Sequence, residues 1–508
     1  MNASLTELRE RLAEICDLGR AAALLAWDER TMMPPGGANA RADQLATLAR
    51  TRHRMFASDE VGRLIEAARP GVEGLDPTSE PASLIRVAGH DWAKARRVPA
   101  ELRAQLAHAS ALGEATWREA RSQSDFELLR PRLEHNVELA RRFADLFEGF
   151  GDFEHPYDPL LDEFEPGMPT AQMRAVLNQL RDGLTPLVEA AAQHGDRVDD
   201  ACLRGPFAAE AQRALVDELV AELPLEAGTW RLDQTAHPFA SAISQRDIRL
   251  TTRYDERYLP TALFGALHEA GHGLYEAGIG PELARGPLAR PRSLGVHESQ
   301  SRLWENWVGR GRPYIERLLP RLRTAFPDSF AGVNPDELYR AANRVRPSLI
   351  RVEADELSYN FHVLVRFELE IELFEGRLGV GGLPEAWSAL MGEHLGVEVP
   401  DDAHGVLQDV HWAAGSFGYF PTYSLGNVIA AQLWEAARRD LPDLEQQIRA
   451  GDFAALGDWL REHVHQWGRR LEAPQIVERA TGAPIEVAPY VRHLANKYGE
   501  LYGLATAA

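Results

Sequence analysis

The chain has 508 residues, 45% of them hydrophobic, which is ample length to bury a large core. Lys and Arg total 55 against 76 Asp and Glu, a formal charge of −21 that argues against nucleic acid or an anionic membrane as the main partner. Two cysteines, Cys16 and Cys202, are too few for a disulfide framework or a cysteine metal cluster and read as buried free thiols.

The N-terminal stretch M-N-A-S-L-T-E-L-R-E-R-L is charged throughout and lacks the apolar centre of a signal peptide. No later apolar run reaches about 18 residues, so a cytoplasmic protein is expected. From Ser4 to about Phe147 the pattern is mainly helical, with Leu5, Leu8, Leu12 and Ile15 beginning a three-four apolar repeat. Trp27 to Gly37, W-D-E-R-T-M-M-P-P-G-G, is expected to interrupt it with a turn. Pro70 to Ser83, rich in Pro, Gly and acid, is expected to break it again. Arg41 and Asp43 fit a solvated helix face. Glu154 to Thr170 reads as an acidic loop punctuated by proline, and Ala171 to Gln193 resumes helix. No linker or internal repeat divides the chain.

His237 to Tyr254, H-P-F-A-S-A-I-S-Q-R-D-I-R-L-T-T-R-Y, is rich in β-branched and alternating residues and predicts a short strand pair. Period two puts Asp247, Arg249 and Thr251 on one strand face. As an edge strand this segment would pair with an extended peptide backbone. A surface strand carrying an Asp-Arg pair accounts for it equally well.

Leu267 to Glu276 reads L-H-E-A-G-H-G-L-Y-E. Leu263, Phe264, Leu267, Ala270 and Leu274 recur at three and four, predicting a helix with Gly278 at a left-handed C-terminal cap. Gly271 and Gly273 each cost about 1 kcal/mol relative to Ala inside a helix, which predicts something packed tightly against them. His268 and His272, one turn apart, offer two imidazoles to a single tetrahedral zinc ion. Glu269 is rotated about 100° round the axis, a poor third ligand but well placed to take a proton from a zinc-bound water. So short a motif recurs by chance and needs a third ligand.

Glu276 lies about 12 Å further along the helix axis, too far to close the site. The metzincin pattern fails, because Tyr275 and Gly278 stand where it needs Gly and His. Gly295 to Asn306, G-V-H-E-S-Q-S-R-L-W-E-N, leaves room after His272 for a loop and a second, antiparallel helix. Its Glu298 is the third-ligand candidate, with the adjacent His297 as rival.

Further on, I-R-V-E-A-D from Ile350 to Asp355 is expected on a helix, with Arg351 and Asp355 one turn apart. They form either a surface ion pair or a receptor for a substrate carboxylate, Arg351 binding it and Asp355 holding Arg351. Gly405 to Asn427, G-V-L-Q-D-V-H-W-A-A-G-S-F-G-Y-F-P-T-Y-S-L-G-N, sets His411, Tyr419 and Tyr423 among glycines. It reads as a flexible stretch that can bring donors to an oxyanion, or as an aromatic core segment. Val428 to Tyr502 reads as packed helices before a frayed L-A-T-A-A end.

Five motifs in order, D-I-R-L-T at Asp247, H-E-A-G-H at His268, H-E-S-Q at His297, I-R-V-E-A-D at Ile350 and G-V-L-Q-D-V-H-W at Gly405, resemble the metallocarboxypeptidases of the carboxypeptidase Taq type. The W-D-E-R-T-M-M-P-P-G-G stretch resembles them too, so the likeness covers nearly the whole chain. It implies zinc, or cobalt, on His268, His272 and Glu298, with Glu269 as general base and acid. It also implies that Arg351 receives the C-terminal carboxylate of a peptide and that single C-terminal residues are released with broad specificity. Asp247, Arg249 and Tyr419 join it as substrate-binding candidates. His411 and Tyr423 resemble, in type and 12-residue spacing, the His and Tyr that thimet oligopeptidase and similar helical zinc peptidases use on the oxyanion.

The implied fold is similar to angiotensin-converting enzyme. It is mainly α, a single large helical body over residues 1–508 with a deep groove and a small antiparallel sheet beside the zinc helix. Residues of about 1–200 would form one wall and about 230–430 the catalytic region, usually in a homodimer. Two rivals stand beside this reading. One is an oligoendopeptidase of the related helical type, and the other is a non-catalytic helical scaffold with structural zinc. Three protein ligands rather than four weigh against the scaffold.

Overall fold

The computed structural model describes residues 3–235 and 237–504, so of the L-A-T-A-A end only Leu504 falls within it. The fold is mainly helical with one small three-stranded sheet. The chain forms two compact units interleaved along the sequence. The first comprises Met1–Ala95, Asp196–Arg344 and Gly426–Tyr490, and the second Arg96–Gly195, Val345–Leu425 and Val491–Ala508.

In the first unit, the helix Ala3–Thr31 buries Leu5, Leu8, Leu12 and Ile15, the expected three-four stripe. It does not stop at Trp27. Nothing before Pro34 forbids helix, and the buried Trp27 holds the last turn in place, so the break is confined to the residues after Thr31. A short 3₁₀ turn, Pro35–Gly37, follows.

The sheet contains β1 (Trp230–Gln234), β2 (Ala240–Ser244) and β3 (Asp247–Thr252) in the order β1-β3-β2. β2 and β3 are the expected pair. β1, which lies before the expected strand segment, runs parallel to β3, so the sheet is mixed rather than antiparallel. β3 is therefore central. Its backbone is paired on both sides and cannot add a peptide strand, which corrects the edge-strand expectation. One face of the sheet meets the N-terminal helix, where the Arg231 and Arg249 guanidiniums lie 5.2 and 4.8 Å from the Trp27 ring centre. The other face presents the fully buried Ile248 and Leu250 to the helix Pro260–Gly278.

In the second unit, helix Thr170–Gln193 matches its expectation, and helix Tyr359–Phe374 is buried on almost every face. Ile350 to Asp355 is not helical. Only Arg351–Glu353 forms a 3₁₀ turn, between extended Ile350 and Ala354. Asp355 is spent elsewhere, accepting from the backbone N–H of Leu357 and Ser358 at 3.0 and 2.9 Å just before the next helix. The Gly405 to Asn427 segment is packed rather than flexible, with Leu407, Trp412, Phe417 and Phe420 all buried. Helix Pro421–Asp440 takes Tyr423 into its first turn. Cys16 and Cys202 are free but only half-buried, and burial raises both thiol pKa values.

Candidate active site

The helix Pro260–Gly278 carries His268, Glu269 and His272, and helix Leu294–Arg302 carries Glu298. The two glycines are what lets the helix fit. A Cβ on Gly271 would lie 2.6 Å from the Gln300 carbonyl oxygen and 2.7 Å from Ser301 Cα, and one on Gly273 would lie 2.9 Å from Ile248 and Leu250 side-chain atoms. One glycine thus admits the Glu298 helix and the other admits β3. Gly278 has a different reason from the one expected. The helix ends at extended Ile279, and Gly278 clears His465, whose Nδ1 would be 2.6 Å from a Cβ.

Ligand atoms of His268, His272 and Glu298 all lie within 4.8 Å of one another. Glu298 Oε2 is 3.7 Å from His268 Nε2 and 3.4 Å from His272 Nε2. Donor atoms about 2.0–2.1 Å from a tetrahedral ion stand roughly 3.4 Å apart, so the donor set and its spacing fit a zinc-sized cation. His297 is not one of the three. Its ring stacks on His272 with centres 4.2 Å apart, and its Nε2 faces Glu276 at 3.6 Å.

Around the three sits a shell that the motif reading passed over. Glu305, in the π-helical turn Leu303–Gly309, pairs with His268 Nδ1 at 2.8 Å and so directs Nε2 towards Glu298. Arg302 Nε donates to Glu298 Oε1 at 2.7 Å, leaving Oε2 for the imidazoles. Burial pushes both carboxyls up, but the neighbouring guanidiniums and imidazoles win. Glu298 is held well below the ordinary range and Glu305 at about 2. Glu269 differs. It is 6% exposed, its Oε2 has no hydrogen-bond partner, and burial raises its pKa against the pull of His268 and His272. A carboxylate so placed is suited to accept and return a proton. Asp247 and Arg249 are bonded to each other side by side on β3, Arg249 Nη2 donating to Asp247 Oδ2 at 3.0 Å.

In the second unit Arg351 is buried. Asp409, not Asp355, holds it. Its Nη2 donates to Asp409 Oδ1 at 2.8 Å and its Nη1 to Tyr359 Oη at 2.8 Å. The same carboxylate takes Arg366 Nε at 2.7 Å. Burial opposes the charge on both members, yet mutual attraction holds Asp409 well below and Arg351 well above their ordinary values. The expected His411 and Tyr423 do meet, His411 Nε2 lying 3.2 Å from Tyr423 Oη. The Tyr419 ring is 5.1 Å from that of His411. Burial, reinforced by Arg351 and Arg366, lowers His411 to about 3, so its ring is neutral near pH 7. Asp409 stands two residues before His411 in the G-V-L-Q-D-V-H-W motif, so its signal lay in the sequence without its partner.

Comparison with known proteins follows the same lines. Residues 7–498 match the carboxypeptidase Taq (M32) metallopeptidase family. The chain is 41% identical over 506 residues, 98% of each chain, to thermostable carboxypeptidase 1 of Thermus thermophilus. It is similar to the crystal structure of the M32 carboxypeptidase from Deinococcus radiodurans R1, with 40% identity, a TM-score of 0.93, and 98% of this chain and 99% of that one covered. Metallocarboxypeptidase 1 of Trypanosoma cruzi gives 33% identity and a TM-score of 0.91, covering 98% of this chain and 100% of that one.

Proposed function

This chain belongs to the carboxypeptidase Taq (M32) metallopeptidase family, and from that premise we propose how its residues divide the work of a metal-dependent carboxypeptidase. The observation that carries the assignment is the convergence of His268, His272 and Glu298 beside a buried Glu269 whose Oε2 has no hydrogen-bond partner among the described residues. These three residues hold the metal. Zinc suits two imidazoles and a carboxylate, with cobalt as the substitute. When bound, such an ion acidifies a water and polarises a carbonyl.

Glu269 takes the proton of the attacking water on Oε2 and returns it to the leaving amine nitrogen. Arg351 receives the terminal carboxylate. Asp409 and Tyr359 use one N–H on each of its Nη atoms, and the remaining N–H on each makes the planar fork that a carboxylate matches. Arg351 and Arg366 also outnumber Asp409 in charge, so the cluster has room for one anion. His411 and Tyr423 steady the oxyanion with their hydrogen-bonded pair. Tyr419 lines the same aromatic cluster, while Asp247 and Arg249 contact substrate through side chains rather than through a strand edge.

On this reading the whole chain, 1–508, works as one broad-specificity peptidase on peptides with a free C-terminus, and the oligoendopeptidase alternative is not favoured. The family resemblance supports a homodimer, which the mass in solution checks. The two free thiols support a cytoplasmic setting. Among the described residues no helix is long and apolar enough to cross a membrane.

The test digests one peptide as free acid and as C-terminal amide, with metal-loaded and chelated enzyme. A ladder losing one residue at a time from the free acid, abolished by chelation, is the expected outcome. Internal cuts in both peptides would overturn it.

A further inference from the structure

Helix Tyr359–Phe374 of the second unit carries a polar stripe in an apolar place. Tyr359, His362, Arg366 and Glu370 recur at three and four and are all buried, the last three completely. Three of the four grip residues of functional interest. Tyr359 accepts from Arg351, Arg366 donates to Asp409 and Gln408, and Glu370 reaches the turn that follows His411.

Glu370 belongs to none of the five motifs, and among the described residues no cation bonds to it directly, although Arg366 one turn earlier acts on it through space. Its carboxylate instead gathers neutral donors. Trp412 Nε1 donates to Oε1 at 2.7 Å, the Gly418 backbone N–H donates to Oε2 at 2.9 Å, and the Tyr157 hydroxyl also donates to Oε2. A carboxyl costs several kcal/mol to bury without such partners, so three donors on one group mark a place where geometry is held on purpose. Trp412 and Gly418 bracket the turn. His411 is the neighbour of the first, and Tyr419 is the neighbour of the second. Gly418 has φ +93°, and a Cβ there would lie 2.4 Å from the Leu160 carbonyl oxygen, so only glycine fits at that end of the turn, packed directly on the Leu160 backbone.

The His411 ring has little else to orient it. Nε2 meets Tyr423 Oη, whereas Nδ1 has no hydrogen-bond partner and its carboxylate neighbour, Asp409, is 3.9 Å away. A working imidazole is ordinarily fixed through its second nitrogen. Here the fixing comes through the backbone on either side and through ring packing on Phe420 at 4.4 Å.

We propose that Glu370 is a positioning residue for the His411–Tyr423 pair. By holding Trp412 and Gly418 it sets the turn that presents the His411 ring to the Tyr423 hydroxyl. The inference rests on the role proposed above for that pair.

The test is steady-state kinetics on the full-length, metal-loaded enzyme, using Glu370→Gln, Trp412→Phe, His411→Ala and the double variant E370Q/H411A. Glu370→Gln turns an amide towards one of the donors. Trp412→Phe deletes one donor and keeps an aromatic ring, so it reads the same contact if the first variant fails to fold. Both are expected to lower kcat by about 10- to 100-fold with KM and metal content little changed. The double variant should be no slower than His411→Ala alone, since there is then nothing left to position. A further drop in the double variant, matching that of Glu370→Gln alone, would mean a merely structural carboxylate and overturn the proposal. Full kcat in both Glu370→Gln and Trp412→Phe while His411→Ala is impaired would overturn it as well. Full kcat in His411→Ala would instead remove the underlying role of the pair.

Discussion

The metal centre and the Arg351 cluster are each buried and charged, but with opposite surpluses. Around His268 and His272 stand three carboxylates, Glu269, Glu298 and Glu305, against the guanidiniums of Arg302 and Arg310. Around Asp409 stand two guanidiniums against one carboxylate. Buried charge is costly unless neutralised, so the two surpluses support the roles proposed above: a cation at the first region and an anion at the second. A metallopeptidase needing a free C-terminal carboxylate requires one of each.

Removing charge from the first region without touching a ligand should have the largest effect. Glu269→Gln should keep its metal and lose turnover by about 10²- to 10⁴-fold, the usual weight of a general base; near-normal kcat with full metal content would deny Glu269 that role. Next, Arg351→Ala removes the surplus from the second region. It should cost free-acid peptides about 100-fold in kcat/KM, the scale of deleting one partner of a buried charged pair, and leave any slow turnover of amidated peptides unchanged. Equal losses on both would show that the surplus does not read the carboxylate.

A smaller effect separates Asp409 from Asp355. Asp409→Asn should raise KM for free-acid peptides by about tenfold by loosening Arg351, while Asp355→Asn should lower the melting temperature and leave the acid-to-amide ratio alone. If the two exchanged behaviour, the assignment of Arg351's partner would be wrong.

The smallest effect concerns pH. Asp409, beside two guanidiniums, stays ionised, whereas burial raises Glu370 from 4.5 to about 7. A carboxyl with a raised pKa contributes stability that is complete below its unfolded value and lost as pH rises through its folded value. The melting temperature of the wild type should therefore fall relative to Glu370→Gln between pH of about 4.5 and 7. A constant gap across that window would mean that Glu370 titrates like an exposed acid.

The two regions also differ in how much of them the sequence disclosed. His268, Glu269 and His272 lie within one turn and a half of a helix, so their spacing alone places them, and Gly271 and Gly273 foretold close neighbours. Glu298 needed only a second helix. The Arg351 cluster is assembled from Arg351, Arg366 and Asp409, brought together by tertiary packing. Sequence proximity therefore points Arg351 to Asp355, whose carboxylate caps the following turn instead. β1 was missed for the same reason, since its partner β3 follows it only after β2. Spacing along one helix is written in the sequence, but partnership across loops has to be folded to be seen.

Gly271 and Gly426 give the metal centre a mechanical character. A Cβ on Gly271 would strike the backbone at Gln300 and Ser301, and one on Gly426 would sit 2.6 Å from Glu298 Cγ, well inside ordinary carbon contact. The segment bearing Glu298 is thus gripped between two other helices at their barest points. The bite of the site is set by backbone thickness rather than by side-chain choice. A single methyl group at either glycine should therefore push Glu298 away from the two imidazoles and weaken metal binding, although all three ligand residues remain in the chain.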